Sequence, residues 1–173
     1  MTQEQLLERL RSRCSRAEYS TGQVAAYARR WLDKGDAAVA EESRDKVVEE
    51  IVARLVEERF VDDNRFAVAF VRDKLKFNGW GKQKIVFKLR SLGVAADIIE
   101  RALRENYYCA DSDCGGGEER LSGQKVLERL LEKKWKSLKE DEPLQVRKAK
   151  AVRFAAGRGF EYGDIIAALA KIM

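Results

Sequence analysis

Histidine is missing from all 173 residues. Without an imidazole the chain builds no Ser/His or Cys/His nucleophile pair, no imidazole acid or base and no histidine-ligated metal site. Cysteine is scarce, and Cys14, Cys109 and Cys114 do not form the disulfide framework of a small secreted domain, so free thiols are expected. Cys109 and Cys114 bracket Asp111 and Asp113, which is a weak zinc half-site because the remaining thiol, Cys14, lies on the apolar helical stripe Leu6, Leu7, Leu10. Neither metal nor cofactor is expected. No stretch approaches the roughly 18 uninterrupted apolar residues of a membrane span, and residues 1–13 alternate charges where a signal peptide would carry an apolar run. The expectation is a cytoplasmic protein with no membrane association.

Proline is nearly absent too, and the one present, Pro143, suits the first turn of a helix beginning near Leu144. What remains reads helical throughout. Apolar residues recur at three- and four-residue spacing: Val24, Tyr27, Ala28, Trp31; Val47, Ile51, Leu55 beside Val48, Val52, Val56; Phe66, Phe70; Leu127, Leu131, Trp135, Leu138. No comparable run alternates with the period of a strand. Ser20 and Gln23 are spaced as a capping box, and Asp62 is placed as an N-cap between the staple positions Val61 and Phe66.

A helix ending in glycine and followed by another amphipathic helix occurs three times, at Gly35, Gly93 and Gly159, roughly sixty residues apart. Asp97-Ile98-Ile99 follows the second of these, and Asp164-Ile165-Ile166 follows the third. The economical parse is an all-α fold of tandem three-helix repeats forming an elongated, curved modular array. Its parts are a first repeat over 1–60, a second over 61–106, a flexible joint over 107–120 and a third repeat over 121–173. A single helical bundle with recurring glycine caps is the alternative.

Charge is distributed unevenly. Arg72, Lys74, Lys76, Lys82, Lys84, Lys88 and Arg90 face one carboxylate, Asp73, so this stretch carries net +6 while the whole chain carries +5. A focused cationic field selects polyanions, either nucleic acid or an acidic protein face. Lys82 and Lys84 fall in the first turn of a helix opening after Gly81, where the macrodipole disfavours each cation by roughly 0.3–1 kcal/mol. Free backbone N–H groups there would make an anion site. Trp80, between two glycines, is placed either to cover core or to stack on a base or partner side chain. Arg147, Lys148, Lys150, Arg153 and Arg158 form a second basic strip with no acid among them, whereas residues 36–63 hold ten acids and four bases.

The succession Asp62-Asp63-Asn64-Arg65-Phe66-Ala67, Phe70-Val71-Arg72 and Gly79-Trp80-Gly81 leading to Ile85, Leu89 and Gly93 resembles the central repeat of the RecX family, regulators of the RecA recombinase. Lys133-Lys134-Trp135-Lys136 and the helix running to Gly159-Phe160 resemble that family's third repeat. The resemblance implies a non-enzymatic regulator, acting in DNA repair, DNA recombination and the SOS response. Such a protein lies in the groove of the RecA–DNA filament as a monomer, mainly inhibits recombinase activity by occupancy, and binds single- or double-stranded DNA. The long glycine-bearing joint between Asn106 and Gly123 departs from the family pattern. The residues expected to meet RecA or DNA are Arg72, Lys74, Lys76, Trp80, Lys82, Lys84, Lys88 and Arg90, with Lys133, Lys136, Arg147, Lys148, Lys150 and Arg153 in the third repeat. Asp62 and Asp63 read as helix capping, and Phe66, Phe70, Ile85 and Leu89 as core. The competing reading is an autonomous helical DNA-binding protein with little sequence specificity, since the helix from Lys82 to Leu92 lacks a clear base-reading face of Asn, Gln and Arg.

Overall fold

A helix start is stabilised where a side chain takes over backbone donors that the first turn leaves unpaired. The computed structural model describes residues 2–34, 43–108 and 122–173. Among them run nine helices and no strand: α1 (Gln3–Cys14), α2 (Thr21–Lys34), α3 (Arg44–Glu57), α4 (Asp63–Asn78), α5 (Lys82–Ser91), α6 (Ala96–Asn106), α7 (Gly123–Lys136), α8 (Leu144–Ala156) and α9 (Tyr162–Ile172). The all-α expectation holds.

The capping box at α2 is present, with Ser20 N–H donating to Gln23 Oε1 at 3.1 Å and Gln23 N–H to Ser20 Oγ at 3.2 Å. At α4, Asp62 Oδ1 accepts from the Asn64 and Arg65 N–H groups at 2.8 and 3.1 Å, which is the capping role read for it. Pro143 sits at the N-cap of α8, one position outside the first turn expected for it. Gly93 and Gly159 follow α5 and α8 with φ of +79° and +88°, the left-handed conformation that glycine adopts without a Cβ clash. Helix α3 closes the same way with arginine: Arg59 has φ +60°, its N–H reaches Val56 C=O at 3.0 Å, and Phe60 N–H reaches Leu55 C=O at 2.9 Å. Gly35, the Cys109–Cys114 loop, most of the acidic segment before Ser43 and most of the expected joint lie outside the described residues.

The chain forms two compact units, Met1–Ala67 with Arg90–Ile98, and Val68–Leu89 with Ile99–Met173. The division falls inside α4, α5 and α6. In the first unit, α1, α2 and α3 close over Leu6, Leu7, Leu10, Cys14, Val24, Ala28, Leu32, Val48, Ile51, Leu55 and Val61. On α3 the buried face runs through Val48, Ile51 and Leu55, drawing on both apolar rows read in the sequence, while Val47 and Val52 are half-buried and Val56 is exposed. Ser20 Oγ donates to Leu92 C=O at 2.6 Å, and a Cβ on Gly22 would stand 2.4 Å from that oxygen, so the start of α2 abuts the α5–α6 corner.

The second unit repeats this junction. Gly81 N–H and Gln83 N–H donate to Arg158 and Gly159 C=O at 2.8 and 3.0 Å, bringing the start of α5 against the α8–α9 corner. Its core is built from Val71, Leu75, Ile85, Leu89, Leu103, Leu127, Leu131 and Ile165, each buried. The register of the repeats is visible in burial: Val94, Ile99, Ala102 and Leu103 after Gly93 match Phe160, Ile165, Ala168 and Leu169 after Gly159, offset for offset. The Asp-Ile-Ile echo in the sequence is one position out of that register, because Ile99 and Ile165 are the equivalent buried residues.

Candidate polyanion interface

Where α4 ends, Gly79 turns the chain at φ +58°, and Trp80 N–H donates back to Lys74 C=O at 3.0 Å. This fixes the indole against Phe70, whose ring centroid is 6.4 Å away at 67°. Lys74 Nζ lies 5.3 Å from both ring centroids, and Lys84 Nζ lies 4.7 Å from that of Trp80. Two ammonium groups, one from α4 and one from α5, are thus held on one indole, each contact contributing about 0.5–1 kcal/mol at a partly exposed site. Lys74, Trp80 and Lys84 are brought together. Phe70, read as core, is half-buried, with its ring against Trp80 and Lys74.

The start of α5 differs from the expectation of free donors. Gly81 and Gln83 donate to the α8–α9 corner, and Lys82 N–H donates to Tyr107 Oη at 3.2 Å. The cause is steric: a Cβ on Gly81 would lie 2.4 Å from Gly159 backbone atoms, so the glycine lets another corner of the chain take the place an anion would occupy. Lys82 is also turned toward protein groups. Its Nζ is 5.4 Å from the Tyr108 ring and 3.6 Å from Glu161 Oε1, and the hydrogen bond to Tyr108 chiefly holds its pKa above the ordinary lysine value.

Arg72, Lys76, Lys84, Lys88 and Arg90 are exposed, with Arg72 Nε 3.4 Å from Asp73 Oδ1. Arg90 falls in the first compact unit and the others in the second. Two aromatics among these cations escaped the sequence reading, Phe77 and Phe87, at 73% and 75% exposure. Helical spacing carried the signal: Phe87 sits between Ile85 and Leu89, off the buried stripe.

The basic residues expected in the third repeat are less uniform than their sequence. Lys133, Lys136 and Arg153 are exposed and Lys148 is half-buried. The Arg147 guanidinium lies 4.4 Å over the Trp135 ring, and Lys150 Nζ pairs with Glu142 Oε1 at 2.6 Å, holding that carboxyl below its usual range. Among the described residues no group of three potential metal ligands occurs, and no helix is long and apolar enough to cross a membrane.

Comparison with known proteins agrees with this architecture. The sequence model of the RecX second three-helix domain matches residues 62–103, and that of the RecX third three-helix domain matches residues 124–169. Regulatory protein RecX of Clostridium tetani is 30% identical over 129 residues, covering 74% of this chain and 53% of that protein. Its counterpart from Pelodictyon phaeoclathratiforme is 31% identical over 122 residues, covering 70% of this chain and 66% of that protein. The chain therefore spans about half to two thirds of the length of these relatives. A crystal structure of RecX from Lactobacillus salivarius shares the fold with a TM-score of 0.75 over 98% of this chain and 96% of that one, at 16% identity. With two successive RecX domains matched and the fold shared from end to end, the chain belongs to the RecX family.

Proposed function

We propose that this chain is a non-catalytic regulator that binds the RecA–DNA filament and mainly inhibits the recombinase by occupying its groove. It acts as a cytoplasmic monomer whose repeats follow the boundaries read from the sequence. The observation that carries this reading is the Lys74–Trp80–Lys84 cluster: two cations fixed on an indole, flanked by exposed Arg72, Lys76 and Lys88, form a preorganised cationic surface on a helical scaffold. Cations already positioned lose little freedom on meeting phosphate or acidic filament surface. Occupancy needs no bond to be made, and linked repeats add weak contacts through effective concentration.

The test is titration into preassembled RecA–DNA filaments with ATP turnover and filament length both followed. The wild-type protein is expected to lower turnover, and Lys74→Glu with Lys84→Glu to weaken that effect by roughly tenfold, the scale of about 1.4 kcal/mol. Unchanged inhibition by the double variant would remove the cluster from the interface. Equal affinity for bare DNA and coated DNA would favour the autonomous DNA-binding reading instead.

A further inference from the structure

The first unit carries a cationic surface of its own, outside both matched family domains. From Arg9 to Trp31 the chain holds six arginines, no lysine and one carboxylate, Glu18. That carboxylate is already engaged by Arg65 Nε at 2.6 Å. Arg11 is spent on Glu58, with Nε to Oε2 at 2.7 Å, and Arg29 on Asp45 at 3.1 Å. Arg9, Arg13, Arg16 and Arg30 are exposed, and none has a carboxylate partner among the described residues.

Two of these four lie over aromatic rings. The Arg9 guanidinium lies 4.9 Å from the Trp31 centroid, and that of Arg13 lies 4.0 Å from Tyr27 and 5.4 Å from Tyr19. Tyr19 meets Tyr27 edge-on at 5.9 Å. Arg9 and Arg13 are one helical turn apart on α1, as are Tyr27 and Trp31 on α2, so the pairs form two rungs about 6 Å apart. Trp31 keeps 40% of its surface open to solvent although its spacing places it on the apolar stripe of α2.

We propose that this α1–α2 face binds single-stranded nucleic acid. A guanidinium carries five N–H donors, so Arg9 and Arg13, placed over rings, and Arg13 also hydrogen-bonded to Tyr19 and Tyr27, retain donors for phosphate in a planar fork that lysine does not offer. The exposed part of the Trp31 indole, beside Arg9, offers stacking surface to an unpaired base whatever its identity. A duplex keeps its bases inside the stack, and an acidic peptide supplies charge but no base for Trp31. The surface requires no recombinase, and its residues are separate from those of the Lys74–Trp80–Lys84 cluster, so either assignment can fail alone.

The experiment uses the full chain without recombinase and a short oligodeoxythymidylate carrying 5-iodouracil, cross-linked by light, with the labelled peptide mapped. The expected result is labelling at Trp31 or Tyr27 that falls as salt is raised. Arg9→Gln with Arg13→Gln should weaken binding by roughly tenfold. If that variant loses its fold, Arg16→Gln with Arg30→Gln, both exposed, should lower the yield at the same site. Labelling confined to residues 70–88 overturns the assignment. So does equal labelling by a duplex of the same length, or competition by polyglutamate as strong as by unlabelled oligonucleotide, which would mark an acidic protein partner.

Discussion

Tyr107 ties three segments of the second unit through one side chain. Its carbonyl accepts from Gly123 N–H at 2.9 Å, its hydroxyl accepts from Lys82 N–H at 3.2 Å, and its ring fills the space where a Cβ on Gly123 would stand 2.3 Å away. Burial, partly offset by the Lys82 N–H, pushes its phenol up to about 12. A folded value above the unfolded one, near 10, means the fold prefers the neutral ring. Its contribution is therefore intact below about pH 10 and is lost as pH rises through about 12, roughly 2–3 kcal/mol over that window. Urea unfolding followed from neutral to alkaline pH should show this decline. Tyr107→Phe should lose about 1 kcal/mol at neutral pH with its hydrogen bond and then decline less steeply. Parallel alkaline slopes for the two proteins would mean the phenol is not shielded as described. Caps such as Ser20 with Gln23 were legible in the sequence because both partners lie within one turn. Tyr107 was not, since its partners come from α5 and α7 and no local spacing marks them.

Among helices, the decisive contacts are backbone against backbone at the repeat junctions. Gly81 meets Gly159 and Phe160 main-chain atoms at 2.4 Å from its would-be Cβ, and main chain cannot rotate aside as a flexible side chain can. Gly81→Ala should therefore cost about 3 kcal/mol or more by forcing the α5 start away from its three acceptors, the scale of overpacking plus lost buried hydrogen bonds. Gly163 in α9 is the control, with nothing within 4 Å of its would-be Cβ. Gly163→Ala should leave stability unchanged or raise it by up to about 1 kcal/mol. Thermal melts of the two variants separate these outcomes, and equal small shifts would show the junction to be loose. The nine helices and the glycine ends at Gly93 and Gly159 were readable, because apolar spacing and positive φ are local properties. The junctions were not: nothing near Gly81 or Gly22 announces which corner each will meet. The same blindness made the start of α5 read as an open anion site.

At the scale of the whole chain, net charge is a poor guide to binding. A total of +5 hides a +6 stretch at residues 72–90, six arginines before Trp31 and an acid-rich run at 36–63. With a Debye length of about 8 Å at physiological ionic strength, a polyanion responds to the surface it touches and hardly at all to charge farther off. The number of phosphates neutralised is then the informative quantity. It appears as the slope of log affinity against log salt, about 0.7 per contact on a single strand. For the full chain on oligodeoxythymidylate, Arg9→Gln with Arg13→Gln should reduce that slope by up to about 1.4, whereas Lys74→Gln with Lys84→Gln should reduce it only to the extent that the second unit also meets the strand. On recombinase-coated DNA the ranking should invert if Lys74 and Lys84 face the filament. Fluorescence anisotropy across a salt series on both substrates measures all four slopes. If neither pair moves the slope on either substrate, the exposed arginines and lysines serve solubility and the bound phosphates must be sought elsewhere on the chain.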